Sequence, residues 1–132
     1  MVQFLGSIPS FNGSNYLNCS KSSGLTLADG GTISAWIKAY PAQNGDWTSV
    51  VTKGRHSWRL CQYGFGTGNT IAFHFNSPSY EYQANGGIPA MDNTWHHLAA
   101  TCGTQSIKLY VDGVLDAEVS TPGPVSGSVV TV

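Results

Sequence analysis

An all-β fold, built as a two-sheet antiparallel β-sandwich, is what this sequence predicts, and three observations carry the prediction. The first is composition. Only 10% of residues are charged, well below the usual quarter, while 16 of the 132 residues are Gly. The polar remainder is mostly Ser, Thr and Asn, which suits many short strands joined by turns and does not suit a helix bundle. The second is rhythm: runs of β-branched and aromatic residues recur at short intervals, each closed by Gly, Asn, Asp, Ser or Pro. The third is the period of two in "TISAWIK", where Ile33, Ala35 and Ile37 point one way and Thr32, Ser34, Trp36 and Lys38 the other.

Taken in order, the strands fall near Gln3–Leu5, Tyr16–Ser20, Gly31–Tyr40, Thr48–Lys53, Trp58–Tyr63, Thr70–Phe75, Tyr80–Gln83, Trp95–Thr101, Ser106–Tyr110, Val114–Val119 and Ser128–Val132. The turns between them are "NGD" at Asn44, "GTGN" at Gly66, "NSPS" at Asn76 and "NGG" at Asn85. There is no internal repeat or linker, and 132 residues make a single domain, 1–132, able to bury a core without staples. Ile33, Ala35 and Ile37 face that core. Trp36 stands on the other face, in a concavity of the sheet or under a covering loop, and Trp36, Trp58, Phe73 and Trp95 are read as space-filling aromatics. "IAFHF" (Ile71–Phe75) carries bulky groups on both faces, as a central strand covered on both sides does.

The hairpin "IKLYVDGVLDAEV" (Ile107–Val119) offers two registers. A two-residue Asp112-Gly113 turn pairs Val111 with Val114 and places Asp116 and Glu118 among Ile107 and Leu109. A three-residue loop with a glycine bulge instead sets Leu109 opposite Leu115, Ile107 opposite Ala117 and Lys108 opposite Asp116. The second keeps aliphatics together and pairs the charges, so it is the register expected, with both acids outside and solvated. Asp116 and Glu118 then serve the hairpin. Catalysis by paired carboxylates needs one held neutral and the other ionised across a cleft, and the neighbouring Lys works against that.

Charge excludes some partners. At net −1 the chain has neither a basic footprint for nucleic acid nor a polybasic patch for a membrane surface, and no apolar run approaches the length that spans a bilayer. The start, "MVQFLGSIPSF", lacks the regions of a signal peptide, which leaves a removed signal, a piece of a longer protein or another export route. Cys19, Cys61 and Cys102 are odd in number and far apart, and are expected as free, half-buried thiols. "NGS" at Asn12 and "NCS" at Asn18 match the glycosylation sequon.

The residues suited to a neutral glycan are aromatics in polar loops, because sugar C–H faces stack on rings while hydroxyls need partners. Trp47, His56, Tyr63, Tyr80 and Tyr82 are the candidate ligand-binding residues; no catalytic residue is expected. Asp29, Asp46 and Asp92 lie in loops and are candidate oxygen donors for a structural calcium, although no cofactor is required. His96 and His97 are adjacent in a strand and point to opposite faces, so they cannot share one metal; one should be partly buried and hydrogen-bonded, the other exposed.

The ordered set "FNGSNYL" (Phe11–Leu17), "TISAWIK", "SVVTKG" (Ser49–Gly54), "SWRL" (Ser57–Leu60), "IAFHF", "TWHHLAAT" (Thr94–Thr101) and "IKLYVDGVLDAEV" resembles the laminin-G-like, concanavalin A-like jelly-roll superfamily and covers most of the chain. The resemblance implies a jelly roll with ligand sites at rim loops, often a structural calcium, and use as an extracellular, cell-surface or virion-associated recognition module that binds a glycan or protein ligand. Ser14-Asn15 stand where paired Asp residues are common in that family. The chain also stops at "GSVVTV", before the family's last strand. A sandwich lacking that strand exposes an edge, through which a homo-oligomer or another protein could complete the sheet.

Overall fold

A computed structural model describes residues 8–19, 25, 27, 30–41, 47–54, 57–64, 68–76 and 80–122. Eight strands follow one another: β1 (Gly31–Lys38), β2 (Ser49–Thr52), β3 (Trp58–Gln62), β4 (Ile71–Asn76), β5 (Glu81–Asn85), β6 (Trp95–Cys102), β7 (Ser106–Val111) and β8 (Val114–Ser120). They form two four-stranded antiparallel sheets, the first ordered β1-β6-β7-β8 and the second β2-β3-β4-β5. This is the expected two-sheet sandwich. Each of these strands lies where the sequence places it, while the strands expected at Gln3–Leu5 and Ser128–Val132 fall outside the described residues.

The stretch from Tyr16 to Cys19 is exposed and is not a strand. Polar side chains just before it hold a turn instead. Asn12 Oδ1 accepts from the Ser14 amide at 2.9 Å, Asn15 Oδ1 accepts from the Asn12 amide at 2.8 Å, and Gly13 takes a φ of 86° that disfavours a side chain.

The core lies between the sheets. Leu60, Phe73 and Ala84 lie abreast across β3, β4 and β5, and Trp58, Phe75 and Tyr82 form the next row. They meet Leu98, Ala100, Ile107, Leu109 and Val111 of the first sheet. Buried Trp58 satisfies its indole N–H by donating to the Leu25 carbonyl at 2.7 Å. Two of the aromatics expected to fill space are open instead. Trp36 is 66% exposed and Trp95 47%, because both alternate away from the core-facing residues of their strands.

The hairpin register also departs from expectation. Asp112 and Gly113 have φ of 51° and 80°, a two-residue turn, and Val111 does pair with Val114. A bulge then shifts the ladder, so that Leu109 faces Ala117 and Lys108 faces Glu118, not Asp116. The Asp-Gly turn and the demand for aliphatic pairing pull toward different registers, and the bulge satisfies both by leaving Asp116 as the extra residue. Leu115, expected inside, is 48% exposed opposite Tyr110. Asp116 is half-buried rather than solvated: its Oδ1 accepts from the backbone N–H groups of Gly87 and Ile88, each at 2.9 Å.

The three cysteines are free thiols. Cys19 is exposed, whereas Cys61 and Cys102 are buried. Burial pushes both buried thiols up to about 11.

Candidate functional site

The face of the second sheet turned away from the core carries Arg59, Cys61, Ala72, His74 and Gln83, the alternate positions to the buried rows. Trp47, just before β2, lies over this face. Its ring meets Tyr63 edge-on at 5.4 Å and His74 at 4.7 Å, and the Arg59 guanidinium carbon sits 5.2 Å from its centroid. A cation under an indole face gains electrostatic attraction, and the ring shields it from water.

His74 is 2% exposed. Its Nδ1 lies 3.2 Å from Arg59 Nη2 and 3.3 Å from Glu81 Oε1, while its Nε2 is buried with no partner among the described residues. Burial, and secondarily the Arg59 charge, lower its pKa below the ordinary 6.5, so the ring is neutral at physiological pH. A neutral imidazole offers one donor and one acceptor. Arg59 has no carboxylate within 4.0 Å among the described residues, since the Glu81 contact goes to His74. The cluster therefore combines an aromatic wall, a guanidinium with N–H groups to spare and a half-used imidazole. Sugar hydroxyls, which donate and accept, match that set.

Of the residues singled out in the sequence, Trp47 and Tyr63 meet here. Tyr80 and Tyr82 lie 6.2 Å from each other, with Tyr80 63% exposed and Tyr82 on the core side opposite Phe75. His56 is outside the described residues. Arg59, His74 and Glu81 escaped sequence reading because each is a single polar residue within or beside an apolar strand. The available signal was alternation: Arg59 lies between Trp58 and Leu60, and His74 between Phe73 and Phe75, so both must face away from the core.

A second polar cluster serves structure. Asp92 Oδ1 accepts from the Thr94 amide at 2.9 Å and from its hydroxyl at 2.7 Å, and lies 3.1 Å from His96 Nε2. On the other side of the ring, His96 Nδ1 lies 2.7 Å from Asp112 Oδ2, and Asp112 Oδ1 accepts from the His97 amide at 2.8 Å. Carboxylates on both ring nitrogens, Asp112 foremost, raise the His96 pKa, and the Thr94 hydrogen bonds hold Asp92 down to about 2. The "WHH" and "VDG" segments are thus one joint. His97, on the opposite face, stacks tilted on Trp36 at 5.2 Å.

Of the candidate calcium donors, Asp92 is described, and its Oδ1 accepts from Thr94. Among the described residues no group of three or more His, Cys, Asp or Glu is arranged to hold a metal ion, and Asp29 and Asp46 lie outside them. Nor do the two hairpin acids converge: Asp116 holds the Gly87–Ile88 backbone, while Glu118 Oε1 lies 3.3 Å from Lys108 Nζ. No helix of the described residues is long and apolar enough to cross a membrane.

No curated protein matches the chain. A family model does, that of Laminin_G_3, described as the concanavalin A-like lectin/glucanases superfamily, over residues 11–130. With all eight described strands in two antiparallel sheets and nearly the whole length matched, the chain belongs to the concanavalin A-like lectin/glucanase superfamily.

Proposed function

We propose that the protein is a non-catalytic carbohydrate-binding or adhesion module, displayed outside the cell or on a virion, whose ligand lies against Trp47 on the outer face of the second sheet. The observation that carries this reading is the buried, neutral His74 with an unpartnered Nε2 beside Arg59, walled by Trp47 and Tyr63. The family's membership of lectins supports the glycan class, and its glycosidases are a poorer guide because Asp116 and Glu118 are held by the backbone and by Lys108. Calcium is not needed for this cluster.

A glycan array tests the proposal. Saturable binding that survives EDTA and falls at least tenfold in Trp47→Ala and in Arg59→Ala is the expected result. Silence across the array, or binding unchanged in both variants, refutes it. A structural or assembly role is the second reading. The free edge of β1 and the exposed Phe11, Tyr16 and Leu17 favour it among the described residues, and a stable oligomer at micromolar concentration with a silent array is its signature.

A further inference from the structure

Asn-Gly occurs three times in the chain, as Asn12-Gly13, Asn44-Gly45 and Asn85-Gly86. In such a pair the glycine brings no Cβ to crowd its own nitrogen, which therefore has a clear approach to the asparagine side-chain carbonyl carbon. Whether that approach is used depends on how the fold holds the nitrogen. Asn44 and Gly45 lie outside the described residues. Of the other two pairs, one is locked and one is open.

Asn85-Gly86 is locked. Asn85 ends β5, and the buried Gly86 donates its amide N–H to the Ile71 carbonyl at 2.9 Å. A Cβ on Gly86 would collide with the Asp116 carboxylate, so the residue is closely enclosed. Closing a ring here would break that hydrogen bond and turn a buried residue.

Asn12-Gly13 is open. Both residues are exposed, and neither the Gly13 amide nor the Asn12 side-chain nitrogen has a hydrogen-bond partner among the described residues. Nothing lies within 4 Å of where a Gly13 Cβ would stand, which leaves the pair open to water. Asn12 Oδ1 accepts from the Ser14 amide at 2.9 Å. That N–H draws charge from the carbonyl carbon and sits where it stabilises the oxyanion formed by an attack there.

We propose that Asn12 is a self-modifying site whose only co-reactant is water. The Gly13 nitrogen loses its proton and attacks Asn12 Cγ; the Cγ–Nδ2 bond breaks, and ammonia leaves carrying that proton. The five-membered imide so formed takes up a water molecule at one of its two carbonyls and opens to aspartate or to isoaspartate. No electron is gained or lost, and either product exchanges a neutral amide for a carboxylate. Isoaspartate also routes the main chain through Cγ, so the oxygen that held Ser14 becomes a backbone carbonyl and the turn between Ser10 and Asn15 is rebuilt. Exposed Phe11, Tyr16 and Leu17 flank that turn, and the surface they present changes with it.

Peptide mapping tests it. The whole unglycosylated chain is held at body temperature in mildly alkaline buffer, native and in urea, and then digested with trypsin. Asn12 and Asn85 fall in different peptides, since Lys21 and Lys53 lie between them. In the native protein Asn12 converts to the two acids at least tenfold faster than Asn85, and an isoaspartyl methyltransferase labels the peptide ending at Lys21. In urea the two asparagines convert at similar rates. Asn12→Gln, whose longer side chain closes a ring far more slowly, loses the label. The proposal is overturned if the two convert alike in the native protein, or if native Asn12 stays an amide while Asn85 converts in urea. It is equally overturned if urea leaves the native ratio unchanged, or if the label persists in Asn12→Gln.

Discussion

The two lateral edges of this sandwich are built differently. At one, β5 packs against β8, and the Asp116 carboxylate bridges the sheets by accepting from the Gly87 and Ile88 amides. Gly86 is needed there because a Cβ would run into that carboxylate and into the Ile71 carbonyl, which accepts from the Gly86 amide at 2.9 Å. At the other, β1 and β2 end their sheets with no such bridge among the described residues, and Ile33, Ala35, Ile37, Val50 and Val51 are only half-buried. Apolar packing is partial at both edges, since Tyr82, Ala117 and Val119 at the clamped edge are half-buried as well. The edges therefore differ in the directed bond that ties the clamped one.

The strongest way to break that contrast is Asp116→Ala. It removes two charge-assisted hydrogen bonds and leaves the part-buried Ile88 amide without its acceptor, so urea unfolding should show a loss of about 2–3 kcal/mol. The same truncation logic at the open edge is milder. Ile37→Ala should cost about 1 kcal/mol, below the roughly 2–5 kcal/mol of a fully buried aliphatic, because the space it leaves opens to water. Equal losses in the two variants would show that the edges do not differ.

A second clamp is electrostatic and can be read by pH. The folded pKa of His96 lies above its ordinary 6.5, so its contribution is complete below 6.5 and is lost as pH rises through the folded value. Asp92, at about 2 instead of 3.8, contributes above 3.8 and loses that contribution as pH falls toward 2. Thermal melting should therefore peak between about pH 4 and 6.5 from this joint, and His96→Gln should flatten the alkaline side. The smallest effect belongs to the exposed Lys108–Glu118 pair at the β7–β8 edge. Lys108→Ala should change stability by less than about 1 kcal/mol, less again in high salt.

Much of the fold was legible because strand signals are local. Alternation in "TISAWIK" and the Asp-Gly turn reappear in β1 and the β7–β8 hairpin. The register of that hairpin was not legible, since it depends on partners for Asp116 that sit 28 and 29 residues away in the loop after β5. Parity gave Trp36 its correct face, but ring size argued that it and Trp95 were covered, and both are open. The candidate site was half legible: Trp47 and Tyr63 sit in polar loops, but the pairing of Arg59 with His74 joins two strands and appears only when they lie side by side.

The burial that shelters two of the cysteines has a practical corollary. With Cys61 and Cys102 sealed in the interior and held protonated far above neutrality, thiol-directed reagents meet only Cys19 in the native protein. The molecule thus carries a single chemical handle, through which a dye or a solid support can be attached without touching either sheet.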